Sequence, residues 1–347
     1  MAYTTIDKFT DYFNTNIYTG NGGTNAITGV GHQPDFVWTK RRDNTGDHML
    51  YNSVTGAGVH VHSNANDGNN TIAASLTAFN SDGFTLGSGG DSNGNGETYI
   101  SFNWKTGTTG SGTTGGSGTD KSYSYSVNTT AGFSIVKYTG NGSAGHTIPH
   151  HLGVAPKMIL FKQLTGSNVD WRVYHEELGN GNRLCLNDDS NVSNDDSAFN
   201  DTSPTSTVFT VGGSTSTNPS ADMIAYCFAE KTGYSKIGGY TGNGNADGTF
   251  VHTGMRPKFL LMKERNAGAA WYMFNGAVNT SNPTHLFLKP NENAAEGGTG
   301  SAYLDFLSNG FKWRANSGSL NGSGDNYVYM AFGQSAVGSN NIPCVAR

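Results

Sequence analysis

"YTGNG" stands at Tyr18–Gly22, again at Tyr138–Gly142 and again at Tyr240–Gly244. Asn-Gly is the strongest short hairpin signal, because both residues accept the positive φ that a type I′ turn requires. Read alone, each copy predicts a two-residue hairpin. Read together, they mark a repeat, because other features follow each copy in a fixed order. Gly-x-x-Pro comes next, at Gly31–Pro34, Gly153–Pro156 and Gly254–Pro257. Each Pro opens an apolar run ("DFVWTK", "KMILFK", "KFLLMK") that ends on Lys40, Lys162 or Lys263. An aromatic patch follows ("HMLY", "WRVY", "WYMF"), then a Phe in a turn-flanked segment (Phe84, Phe209, Phe311) at nearly constant spacing. Each unit closes on "TYISFNW", "MIAYCFA" or "YVYMAFG". A period of ~100 residues exceeds any solenoid repeat and leaves each unit room for a core of its own.

Short β-rich runs separated by Gly, Asn, Asp and Ser predict an all-β chain. The expected architecture is three tandem homologous β-sandwich units, jelly-roll or lectin-like, with ~8 strands each. The boundaries read as 1–106 for the first unit, 123–232 for the second and 233–347 for the third. Between the first two lies "KTGTTGSGTTGGSGTDKS" (Lys105–Ser122), whose residues 107–122 read as a Gly/Ser/Thr linker. Its composition predicts a flexible coil, with an ordered extended arm as the alternative. A flexible linker would let the first unit swing, making it the expected anchor to a larger particle, while the second and third dock tightly. The one helical window, "VYHEELGN" at Val173–Asn180, supports a turn or two.

Composition narrows the function. The chain has 347 residues, 49 of them Gly, with 14% charged residues and a net charge of −5. That balance argues against nucleic-acid binding, which needs a concentrated basic face. Lys40-Arg41-Arg42, the only basic cluster, reads as a solvated strand end. No apolar run reaches the ~20 residues of a membrane span, and "MAYTTIDKF" has no secretory hydrophobic region. Cys185, Cys227 and Cys344 form no pairing framework and read as two buried thiols and one near the tail.

Chemistry is sparse. Glu176, Glu177, Glu264 and Asp305 are the acids available for a glycosidase pair, and nothing in the spacing brings two of them together. No G-x-S-x-G elbow is present. The expectation is a chain that is not an enzyme and needs no cofactor, with calcium as a possible bound ion. Asp91, Asn93 and Asn95 alternate ahead of Gly96 like the opening of a calcium loop, but the twelfth position falls on Phe102. In "VHVH", strand alternation sets His60 and His62 on one face, able to share a metal. Trp104, Trp271 and Trp313 are candidates for a glycan platform, the alternative being core packing.

The motifs "YTGNG", "QPDFVWTK", "FNSDGFTLG", "TYISFNWK", "HHLGVAPKMILFK" and "EKTGYSKIGGYTGNG", taken together, resemble a family of repeat proteins encoded by marine tailed bacteriophages. The resemblance covers essentially the whole chain and carries no catalytic residues. It implies a virion structural protein, made in the host cytoplasm and carried on the extracellular particle. The implied role is a tail-associated fibre or receptor-binding appendage, with a capsid decoration or head fibre as the alternative. A carbohydrate-binding lectin-like module or a polysaccharide depolymerase are further alternatives. The partners implied are other virion proteins and a host-surface glycan, and the expected assembly is a homo-oligomer, with a trimer favoured.

Overall fold

The computed structural model describes residues 3–298 and 303–339, so Cys344 lies outside the described residues. The fold is all-β, and every named strand pair is antiparallel. The apolar runs after each Pro become central strands, Phe36–Arg41, Met158–Gln163 and Arg256–Glu264. Each is flanked on one side by the closing aromatic stretch (Thr98–Trp104, Asp222–Phe228, Asn326–Gln334) and on the other by the aromatic patch. The strand leading into YTGNG (Phe13–Thr19, Phe133–Thr139, Ser235–Thr241) pairs with the far side of the closing strand. Three large sheets therefore share one strand order.

These central strands are continuous apolar runs, rather than alternating ones, because both faces are buried. Phe259 and Leu261 enter a cluster that draws on all three sheets, while Leu260 and Met262 enter a separate one. Met158 and Leu160 divide from Ile159 and Phe161 in the same way. On the outer side, each large sheet packs against a three-stranded sheet that carries Phe84, Phe209 or Phe311. On the inner side, all three meet around a knot of rings. Trp104 lies 6.3 Å from Phe228, 5.6 Å from Phe259 and 5.9 Å from Phe332.

The seams between sheets repeat as well. Register makes His48, Trp171 and Trp271 equivalent, each just before its aromatic-patch strand or at its first residue. Trp171 Nε1 donates to His62 O at 2.8 Å, and Trp271 Nε1 to Cys185 O at 2.7 Å. His48 Nε2 meets Lys289 O at 3.0 Å. The second sheet thus holds the first, the third holds the second, and the first holds the third, which closes a ring. Backbone bonds follow the same cycle: Asn69 N to Leu164 O, Val192 N to Arg265 O, and Glu296 N to Arg42 O.

Three expectations are corrected. The YTGNG copies form no type I′ hairpin: Gly22, Gly142 and Gly244 take positive φ, but the preceding Asn does not. Each copy instead carries the chain from a large sheet to its small partner sheet. Residues 107–122 are no flexible linker, because Thr108–Thr113 pairs with Ser122–Asn128, which extends the second large sheet, and Gly115–Gly116 pairs with His146–Pro149. The first sheet is therefore built into the common core and has no flexible tether on which to swing. Lys40-Arg41-Arg42 is no solvated strand end. Lys40 is fully buried with Nζ donating to Arg41 O at 2.6 Å, Arg41 pairs with Asp43 and Glu97, and Arg42 reaches Glu296 at 2.7 Å across a seam. Lys162 and Lys263 are buried likewise, donating to Val169 O and Ala269 O at 2.6 Å. The window at Val173–Asn180 supplies a strand end and the single 3-10 turn Glu176–Leu178.

Candidate functional site

The residues that sequence reasoning singled out for binding go mostly to structural work. Trp104, Trp271 and Trp313 are at most 1% exposed, so they form no glycan platform. Trp104 and Trp271 lie in the common cluster, and Trp313 packs 5.7 Å from Phe274 in the third outer one.

Asp91, Asn93 and Asn95 do not converge on a cation. Asp91 and Asn95 are exposed while Asn93 is buried, and its Oδ1 already accepts from Asn21 N at 3.0 Å and Asn25 Nδ2 at 2.9 Å. Its Nδ2 donates to Gly23 O and Gly87 O, each at 2.7 Å. An amide oxygen saturated with donors has no lone pair to offer calcium. Asn218 and Asn321 occupy the matching places in the other two sheets. Asn218 accepts from Asn141 N at 2.9 Å and donates to Ser143 O and Gly212 O. Asn321 accepts from Asn243 N at 3.1 Å and donates to Asn245 O and Ala315 O. Here lies the reason for the repeated motif. Its Tyr donates to Ser92 O, Thr217 O or Leu320 O. Its first Gly has no room for a side chain, since a Cβ would run into the oxygens of Gly94, Pro219 or Gly322. The N–H of its Asn is held by the buried asparagine. The signal for that partner was weak, because a lone Asn some eighty residues downstream has no local pattern.

His60 and His62 do share a face, with ring centroids 5.2 Å apart. His62 Nδ1 meets Asp67 Oδ2 at 2.8 Å. Burial pulls the His62 pKa down, but the Asp67 hydrogen bond and charge outweigh it and leave the pKa raised. Burial and the His62 charge lower His60 to about 4, so its imidazole is neutral. Neither His60 ring nitrogen makes a hydrogen bond of normal geometry, the Gly58 backbone being the nearest polar help. A carboxylate behind one imidazole and a neutral imidazole beside it is metal-ligand chemistry, yet among the described residues no third ligating side chain joins them. Among the described residues the one grouping of three ligand atoms is Asp170, Cys185 and Asp188. There Arg183 Nη1 stands 2.9 Å and Arg172 Nη1 3.4 Å from the thiol, and burial raises Cys185 to about 11. A protonated thiol flanked by two guanidinium groups repels a cation, so this cluster reads as a seam contact. Three of the four acids considered for hydrolysis are also occupied. Glu176 pairs with Lys157, Asp305 with Arg314, and Glu264 accepts from Asn266 N at 2.6 Å, while Glu177 lies over Gly239.

The buried histidines carry a measurable consequence. His48, His150 and His175 each accept through Nδ1, from Trp38 Nε1, Leu152 N and Glu177 N, and each turns Nε2 to a carbonyl. A proton on Nδ1 would face a donor in all three. Burial is the main cause that holds His150 and His175 at about 4 and His48 well below its usual range. The folded values lie below the unfolded value, so the unfolded chain binds the extra protons. Stability is complete above pH ~6.5 and falls as pH drops toward 4, by up to about 1.4 kcal/mol per pH unit for each histidine. Urea midpoints measured between pH 7.5 and 5.0, above most carboxylate titration, are expected to fall steeply. A flat profile there would show that the histidines accept protons without loss.

No curated protein and no solved structure matches the chain. Its residues 8–336 match the model of a domain of unknown function, DUF7483, and with nearly the whole chain inside that match the protein belongs to this family.

Proposed function

We propose that the chain is three homologous β-sandwich units closed into a ring, and that it serves as a non-enzymatic structural protein of a virion. Within the particle the reading is a tail-associated fibre or receptor-binding appendage, contacting other virion proteins and, at its outer face, the host surface. The observation that carries it is the cyclic seam: Trp171 to His62, Trp271 to Cys185, and His48 to Lys289. A body with three equivalent sectors about one axis fits a seat of threefold symmetry, which fibre tips and capsid lattices both offer. The homotrimer expected of a fibre tip becomes unnecessary on this reading, because one chain supplies the three sectors.

The same symmetry supports the second reading, a capsid decoration. Copies per purified particle, counted by quantitative mass spectrometry, separate the two. A few to a few tens are expected for the tail. Hundreds would move the protein to the capsid, and absence from the particle would sink both. A lectin role would need a platform other than the three buried tryptophans.

A further inference from the structure

The three large sheets share a strand order but not an edge. In the second, the strand Phe133–Thr139 is covered by Ser122–Asn128 and then Thr108–Thr113. In the third, the equivalent strand Ser235–Thr241 is the last in its sheet. We propose that this edge is a docking site for an extended segment of a partner protein that adds as an antiparallel strand, with a basic residue opposite Gly239 and aromatic residues on either side of it. This inference stands apart from the virion reading.

The backbone is presented correctly. Ser235 N donates to Lys231 O and Thr241 O accepts from Thr249 Oγ1, both on the side away from Asn326–Gln334. Strand alternation then turns Ile237 and Gly239 outward, with no described strand to meet them. In the first sheet, the matching Thr15 N is already taken by Asn14 Oδ1 at 2.9 Å, which blunts that edge.

The occupant follows from the second sheet. There Tyr123 and Tyr125 lie opposite Tyr138 and Val136 on the outer face, and Tyr125 stacks on His151 at 3.7 Å. Register makes Gly238 and Tyr240 the equivalents of Val136 and Tyr138. At that place in the third sheet is an open cleft of about 350 Å³ lined by Tyr240, Phe250, His252 and Tyr329 and, among its polar residues, by the ion-paired Lys157 and Lys236. Phe250 is 44% exposed there. Two aromatic side chains at alternate positions fill such a cleft.

Charge decides the residue between them. In the second sheet that position pairs Lys137 with a neutral Ser124, and Lys137 is neutralised by Asp222 at 2.9 Å. In the third, Lys137 is replaced by Gly239, and the exposed Glu177 lies over it. Glu177 lines that cleft and also a second one of about 200 Å³, which reaches to Arg265. Its neighbours Glu176 and Glu230 take Lys157, and Lys236 also goes to Glu230, whereas Glu177 enters no ion pair among the described residues. The positive charge that the second sheet carries on its own strand must come here from the incoming one. This is strand addition, in which main-chain bonds supply affinity and alternate side chains supply specificity.

The test uses the full chain and an acetylated heptapeptide, SYKYSVN, which is the protein's own Ser122–Asn128 with Ser124→Lys. Amide exchange is expected to slow at Ile237 and Gly239 by about tenfold or more with peptide present. The parent sequence SYSYSVN should bind several-fold more weakly, and Glu177→Gln should erase that difference. Phe250→Ser, at an exposed position, should weaken binding of both peptides while leaving the melting temperature in place. No slowing at millimolar peptide would overturn the proposal. So would slowing at these amides in protein alone that grows with protein concentration, because a second copy would then own the edge.

Discussion

Replacing Asn218 with Ala is expected to cost about 3–5 kcal/mol of stability, measured as a shift in the urea midpoint at constant slope. The side chain is small, so lost packing explains little of this. Its amide holds five partners at once: Asn141 N, His146 Nδ1, Ser143 O, Gly212 O and, more loosely, Asn141 Oδ1. Truncation leaves these buried groups unpaired, and each unmet group costs roughly 1–3 kcal/mol, less where the loop relaxes. Asn218→Asp separates the two halves of the amide. It keeps the accepting oxygen but turns a second oxygen toward two carbonyls, so it should be as damaging at neutral pH and partly relieved in acid, where a protonated carboxyl can donate. A loss below about 1 kcal/mol for the alanine variant would mean that the YTGNG loops are held by their glycines and tyrosine alone.

The second large effect concerns cooperativity. Trp104→Ala is expected to cost about 3–5 kcal/mol and to weaken all three sheets together, because the ring touches Phe13, Phe36, Phe133, Phe228, Phe259 and Phe332. Those partners belong to three different sheets. Native-state hydrogen exchange should report the loss equally in Asp222–Phe228 and Asn326–Gln334, far from the substitution in sequence. For the same reason, a chain lacking residues 1–106 should not reach a native state, since it would leave one wall of the common core open to water. Calorimetry of the whole chain should give one transition whose calorimetric and van't Hoff enthalpies agree. A sharp independent transition in the shortened chain would mean that the outer clusters suffice to fold each sheet pair.

Much of this architecture was legible in the sequence, and what was not has identifiable causes. The repeat was readable because Pro, Lys and Phe recur in order, and the all-β class because no helical period competes. The closing of the ring was not, since the contacts that make it join Trp171 to the backbone carbonyl of His62 and Trp271 to that of Cys185; a carbonyl leaves no trace in residue identity. The Gly/Ser/Thr segment misled because its composition is that of a coil, while its strand character comes from pairing with Ser122–Asn128, a tertiary matter. Lys40-Arg41-Arg42 has the composition of a solvent-facing strand end; only the fold reveals that Lys40 is buried against Arg41 O and that Arg42 reaches Glu296 across a seam. Among site residues, alternation placed His60 and His62 on one face correctly. It could not foresee that Asn93 would spend both ends of its amide on the loop beside it.

The seams also differ from one another. Two are closed by indole N–H groups, and the third by His48, whose imidazole stands between Trp38 and Lys289 O. An assembly of three identical chains could not hold such a mixture, because any change in its gene would appear at every seam at once. A chain with all three sectors in one reading frame is free of that constraint. Each junction can drift, specialise or acquire its own sensitivity while the other two keep the body folded, and the open edge beside Gly239 is the kind of departure from sameness that this freedom permits.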